Sequence, residues 1–531
     1  MKPLVRTFPA AVATLAVAPF ATACSAGDDA GAAAGRTLRI GMATSPECLD
    51  PQQAGTSAAL NIGRQLVDSL TDQDPRTGEI KPHLAASWKV DRDSTAFTFT
   101  LVRGATFSDG EPVDAAAVKA NFDNVVKLGA KALLGSAYLA GYRRTTVIDA
   151  QTARVEFAKP SAQFLQATST VSLGLLAPRS FDSPAPRRCQ AAGLIGSGPF
   201  TFKSLVQNQQ VVLVKRPGYA WGSGASAHHG EAYLDRITYV VVPEAGARAG
   251  ALESGQVDAI TDVAPGDQAR FRGGGFTEVD AANPGIPYNL QPNTSRPALN
   301  EEKVRQALQL GIDRKAVVDT VLTPSYKPAT GALAATTPGY VDLRDQVRYD
   351  PARAGALLDE AGWKPGPDGV RVKNGRPLRL GVVYPTSFDQ NQPVLELIQQ
   401  QVRKIGVGLT LRQGTPGQLA RLAASGDYDL AWSNLTRSDP DVLRPIFSTK
   451  YVNRSYLKPN PLDDLLDRQA AQPQEAERRA TVAEAQRLII GKGYLIPIFE
   501  AAQVLAFSHR VRGLSFGAST RIDLYDARVG G

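Results

Sequence analysis

Histidine, cysteine and methionine are all scarce in this chain: four, three and two residues respectively in 531. So few soft and imidazole ligands, with no Cys-x-x-Cys pair and no His-Glu-x-x-His run, leave no basis for a histidine- or thiolate-built metal centre. Neither a P-loop nor a G-x-G-x-x-G turn occurs, so any nucleotide hydrolysis has to belong to another chain. Long apolar runs are missing too. The one candidate, Phe8 to Phe20, is interrupted by Pro9 and Pro19 and falls short of the about 20 apolar residues that a membrane-spanning helix needs. Charge of one sign is not concentrated either: 59 basic and 51 acidic residues give a net charge of +8. No Lys/Arg block is interleaved with aromatics, which argues against nucleic acid as a partner.

Two tempting signals fall away on inspection. His228-His229 lies among small polar residues and reads as a solvated loop. Gly513-Leu514-Ser515-Phe516-Gly517 satisfies G-x-S-x-G, but no histidine follows Ser515, as that nucleophile elbow requires.

The chain is too long for one core, and two packed lobes are expected. Its clearest local pattern runs from Phe97 to Phe122. Phe97, Phe99 and Leu101 alternate with threonines as in a half-buried strand. Ser108-Asp109-Gly110 marks a turn, Asp114 is placed to cap a helix, and Val118 and Phe122 share one helical face. Strands are expected at 37–42, 211–214 and 378–383. Helices are expected at 61–70, 393–405 and after Asn300, read as an N-cap. Asp350-Pro351 is a further helix start, closed by Gly362.

At the N-terminus, Lys2 and Arg6 precede the apolar run, and Ala21-Thr22-Ala23 precede Cys24. This order resembles a lipoprotein signal peptide, which implies lipidation of Cys24 and a flexible tether after it; ordinary secretory cleavage nearby is the alternative. Cys48 and Cys189 then form an even remainder, read in an exported chain as a disulfide or, alternatively, as two buried thiols.

The strand, Asp-Gly turn and capped helix resemble a signature of the family 5 extracytoplasmic solute-binding proteins of ABC importers. Other segments fall in the family's order: Leu49-Asp50-Pro51, Pro82-His83-Leu84-Ala85-Ala86-Ser87-Trp88, Gly196-Ser197-Gly198-Pro199-Phe200, Gly311-Ile312-Asp313-Arg314 and Tyr349-Asp350-Pro351. The resemblance implies an α/β, two-lobed fold of the type II periplasmic-binding-protein kind. It would comprise a signal peptide (1–23), a tether (24–36), lobe I (37–286, with an extra subdomain about 81–189), lobe II (287–499) and a return to lobe I (500–531). Hinge crossings are expected near Tyr288 and Phe499, with a ligand cleft between the lobes.

It also implies a monomeric receptor that is not an enzyme, needs no cofactor, binds a small solute (peptide first) and delivers it to the membrane subunits of an ABC permease. In peptide-binding relatives an Asp three residues after the tryptophan of the last cleft loop pairs with the ligand's ammonium. Here Leu435 and Thr436 stand where that Asp belongs, with Arg437 beside them. Asn434, Thr436 and Arg437 suit hydroxyl, carbonyl or anionic groups. The candidate ligand contacts are therefore Glu47, Leu49, Tyr288, Trp432, Asn434, Thr436, Arg437 and Asp439. Asp441 is read as a helix cap. The alternative function is a secreted hydrolase of peptide or glycan, using Glu47 and Asp439 as its carboxylates.

Overall fold

A computed structural model describes residues 36–530 apart from 386, 387, 389 and 452; the N-terminal stretch with Cys24 lies outside the described residues. One sheet has seven strands in the order Phe276–Ala282, Ala502–Ser508, Ala259–Ile260, Thr37–Met42, Arg236–Val241, Gln210–Lys215 and Phe200–Val206. Its Thr37–Met42 strand is paired in parallel on both sides. Leu38, Ile40 and Met42 alternate into a core shared with Ile62 and Leu66 of the helix Ser57–Leu66.

A second sheet has six strands: Lys327–Pro328, Ile496–Glu500, Gly285–Pro292, Leu430–Thr436, Arg379–Pro385 and Gly408–Gly414. Arg379–Pro385 is parallel to both its neighbours. The helix Asn391–Arg403 makes the crossover to Gly408–Gly414, as parallel pairing requires. A third, antiparallel sheet (Ala85–Val90, Ala96–Leu101, Thr152–Phe157, Tyr142–Asp149) packs on the helix Ala115–Leu128. Phe97, Phe99, Phe122 and Phe157 surround Phe164 edge-on there, at 4.7 to 6.2 Å between centroids.

The chain passes between the two large sheets at Asn283-Pro284 and again at Ala501. These crossings lie just outside Tyr288 and Phe499, which are paired with each other inside the second sheet. The Asn283 N–H donates to the Ala501 carbonyl at 2.8 Å, so the two crossings are bonded together.

Local chemistry explains the element ends. Asp114 accepts from the Ala117 N–H at 2.8 Å and Asp350 from the Arg353 N–H at 2.9 Å. The helix expected at 61–70 starts earlier, because the Thr56 hydroxyl caps it. It stops at Leu66 because the Gly198 N–H takes the Leu66 carbonyl at 3.0 Å. Asn300 is not a cap: Glu301 holds that position, without a side-chain bond, and the helix begins at Glu302. Cys48 and Cys189 are joined, with an S–S distance of 1.99 Å. Beside them the Leu49 N–H donates to the Cys189 carbonyl and Asp50 pairs with Arg188 at 2.8 Å, both side chains buried.

The turn at Gly196 presses against the end of that helix, where a Cβ on Gly196 would stand 1.9 Å from the Leu66 carbonyl oxygen. Gly196→Ala is therefore expected to cost about 1–3 kcal/mol through forced backbone movement. Gly250→Ala, in the helix Ala245–Glu253 with nothing within 4 Å of the added carbon, is expected to stabilise by about 0.5–1 kcal/mol. Urea unfolding of the two variants checks both signs.

Candidate functional site

Between the sheets lies a cavity of about 50 Å³, and each of its walls comes from a different part of the chain. Arg64 projects from the helix Ser57–Leu66, Tyr138 and Thr170 come from the appended subdomain, and Thr436 ends a strand of the second sheet. Ser519 and Arg521 come from the C-terminal hairpin. The hairpin strands Ser515–Phe516 and Ile522–Asp523 hold its tip against the second lobe, where the Ser438 hydroxyl donates to the Ala518 carbonyl at 3.1 Å.

The charges divide sharply. Arg64 is paired with Asp72 at 3.1 Å and with Asp523 at 3.6 Å. Burial opposes its charge, but the fields of Asp72 and Asp523 outweigh that and hold its pKa above the ordinary value. Arg521 has a hydroxyl instead, donating to Ser57 Oγ at 2.9 Å, and burial pushes its pKa down to about 10. Arg437 is 4% exposed, and its guanidinium lies 4.1 Å above the Tyr138 ring. This cation–π contact, worth about 2 kcal/mol when desolvated, spans the gap between the second sheet and the subdomain. A backbone bond from the Ala162 N–H to the Ala470 carbonyl, 2.9 Å, spans it elsewhere.

Among the residues expected at the ligand, the structure sets Thr436 in the cavity wall and Arg437 beside it. Asn434, half-buried, lies two residues earlier on the same strand and so on the same face as Thr436. Glu47 is exposed. Three further expected contacts are engaged within the lobes. Leu49 is 1% exposed and packs in the first-lobe core. Trp432 is 2% exposed, donates from Nε1 to Asn391 Oδ1 at 2.7 Å and belongs to the second-lobe core. Tyr288 is stacked between Trp432, Phe388 and Phe499, at 4.6 to 5.6 Å between centroids.

Asp439 is gripped by both Arg478 nitrogens at 2.8 and 2.5 Å and accepts from the Asp441 N–H at 2.7 Å. It is the cap, whereas Asp441 forks onto Arg444 at 2.7 and 2.8 Å. Sequence reasoning missed Tyr138, Arg64 and Arg521. Their only shared property is position in the fold, and no local pattern reports that.

Behind Arg64 is a buried polar knot. Asp68 accepts from Trp221 Nε1 at 2.9 Å and from the Tyr219 hydroxyl at 3.2 Å, and His83 Nε2 lies 3.5 Å from it. Burial pushes Asp68 up to about 7 and His83 down to about 4.

The profile of bacterial extracellular solute-binding proteins, family 5, middle region, matches residues 79–454. The chain belongs to this family. It is a transport receptor of the ABC solute-binding kind, extracytoplasmic and not an enzyme. The probable D,D-dipeptide-binding periplasmic protein of Escherichia coli K12 is 26% identical over 501 residues, 90% of this chain and 91% of that one. The nickel-binding periplasmic protein of the same organism is 30% identical over 352 residues, 63% of each chain. In structure, NikA of Brucella suis in complex with Fe(III)-EDTA superposes with a TM-score of 0.80 at 22% identity, over 93% of this chain and all of that one. The hydrolase alternative lapses with this assignment, and its carboxylates are an Arg478-bound cap and an exposed glutamate. Among the described residues no helix is long and apolar enough to cross a membrane.

The two shifted groups of the knot offset each other. Between pH 4 and 6.5 the folded protein keeps one proton on Asp68 and none on His83, while the unfolded chain keeps one on His83 and none on Asp68. The pair thus adds little pH dependence. In Asp68→Asn only the histidine term survives. The unfolded state then binds the extra proton, and stability is expected to rise from pH 4.5 to 6.5. In His83→Gln only the carboxyl term survives. The folded state binds the extra proton, and stability is expected to fall from pH 4.5 to 7. Urea midpoints across that range read both slopes.

Proposed function

We propose that the cavity between the two sheets is the solute site of this receptor, with Thr436, Arg437 and Asn434 from the second lobe meeting Tyr138, Arg64 and Arg521 from the first. The observation that carries it is the lining itself: one partly open space with polar and apolar walls, to which both lobes and the C-terminal hairpin contribute. Closure of lobes joined by two short crossings would bury a solute there and stabilise the closed population. The first lobe comprises residues 37–286 with 500–531, including the subdomain at about 81–189, and the second comprises 287–499. The chain acts as a monomer, held on the outer face of the cell membrane by lipid on Cys24 through the tether 24–36 after removal of 1–23. It hands its solute to the membrane subunits of an ABC permease. Relatives named for D,D-dipeptides and for nickel show how widely the family's solutes range, and leave room here for a site lacking the ammonium-pairing Asp.

A solute at about 100 times its dissociation constant is expected to add about 2.7 kcal/mol to the stability of the full chain and to be recovered unchanged after release. A thermal-shift titration followed by mass spectrometry of the released solute checks both. Stabilisation with chemical conversion of the solute would contradict the receptor reading.

A further inference from the structure

Resting on the reading that this cavity is the solute site, we infer that the solute is a compact oxyanion, carrying a carboxylate or a phosphate, and that Arg437 and Arg521 are the residues that select it. The two guanidiniums come from different lobes, and Arg521 shares the cavity wall with Tyr138. Arg437 stacks on the Tyr138 ring at 4.1 Å and Arg521 feels the field of its hydroxyl. Tyr138 is itself 5% exposed. Among the described residues no carboxylate pairs with either arginine. Arg437 makes no side-chain hydrogen bond among them, and Arg521 makes one, to the neutral Ser57 hydroxyl.

Charges taken out of water are ordinarily paired or hydrogen-bonded; elsewhere in this chain buried arginines are either forked onto carboxylates or, like Arg248, Arg305 and Arg314, spread over several backbone carbonyls. Asp439 is forked onto Arg478, Asp441 onto Arg444, and Asp50 is bound by Arg188. The acidic groups nearest the cavity are already committed. Asp72 is held by Arg64 at 3.1 Å and by the Ser223 hydroxyl at 2.6 Å, and Asp523 turns to Arg64 and to the Tyr525 N–H. Two cations therefore meet at the cavity edge without an internal counter-charge, and the missing partner is an anion. The planar, five-donor guanidinium fork fits carboxylate and phosphate oxygens bidentately. Among the other groups on the wall, the Ser519 and Thr436 hydroxyls are placed to meet the other oxygens, whereas the Thr170 hydroxyl is already given to the Ala167 carbonyl at 2.8 Å. An ammonium group finds no free carboxylate there. The cavity volume of about 50 Å³ is small beside the roughly 300–1,000 Å³ of sites for drug-sized ligands, which fits a compact solute better than an extended peptide.

The test is a thermal-shift screen of the full chain against several hundred small solutes grouped by charge. The anionic group includes succinate, citrate, N-acetyl-dialanine and glycerol 3-phosphate; the others include glucose, putrescine and dialanine amide. Stabilisation is expected from members of the anionic group alone, and the carboxylate and phosphate arms then say which oxyanion is preferred. For the best compound, Arg521→Gln and Arg437→Gln are each expected to weaken binding about 10- to 150-fold, the size of one lost charge-assisted bond. Arg437→Lys and Arg521→Lys, which keep the charge and lose the fork, are expected to fall in between. Unliganded midpoints and circular dichroism separate these effects from misfolding. If Arg437→Gln proves unfolded, the lysine variants decide. Stabilisation by neutral or cationic solutes with the anions silent would overturn the oxyanion assignment and leave the receptor reading standing, as would undiminished binding in the folded arginine variants. No saturable binding by any class would overturn the receptor reading, and the assignment with it.

Discussion

Asn283 ties together everything that has to move as one at the hinge. Its backbone N–H bonds the second crossing at the Ala501 carbonyl. Its side-chain amide donates to Thr436 Oγ1 at 2.9 Å and accepts from Thr520 Oγ1 at 3.0 Å. One buried side chain thus joins a crossing strand, the cavity-lining end of a second-lobe strand, and the tip of the C-terminal hairpin. Neighbouring contacts keep the geometry tight. The Arg437 N–H bonds the Pro284 carbonyl at 3.0 Å, and Gly285, at φ +108°, passes so near the Leu435 carbonyl that a Cβ would stand 2.2 Å from it. The Gly285 N–H is taken by the Thr337 hydroxyl at 2.7 Å. Two short links of this kind are where a hinge between two rigid lobes would bend.

The division of charge follows from that geometry. Carboxylates hold loop arginines in place and also pair with Arg64 in the cavity wall, while Arg437 and Arg521 have an aromatic ring or a hydroxyl for company. The cost of a desolvated cation is modest while the lobes are apart and water has access. It grows as they close, unless something of opposite sign is enclosed with it. At the proposed solute site, closure and solute charge would be linked by the same two side chains.

Much of the fold was legible because it rests on local chemistry. The strand at Thr37–Met42, the alternation at Phe97, Phe99 and Leu101, and the caps at Asp114 and Asp350 depend on neighbours within a few residues. The helix at Ser57–Leu66 was misplaced because its end is set by the Gly196–Gly198 turn, distant in sequence. The site was less legible for the same reason. Residue type placed Asp439 and Trp432 near a ligand, while the partners the fold gives them, Arg478 and Asn391, lie on other elements and leave no local signal. Arg437 stood out because an acidic residue was missing beside it. Arg521 carries no such local signal, and only the wrapping of the C-terminal hairpin brings it to the cavity.

The most direct test of lobe closure about Asn283 and Ala501 is small-angle X-ray scattering of the full chain, alone and saturated with the compound that stabilises it most. The account predicts a smaller radius of gyration in the saturated protein. Identical curves with and without a saturating solute would contradict it.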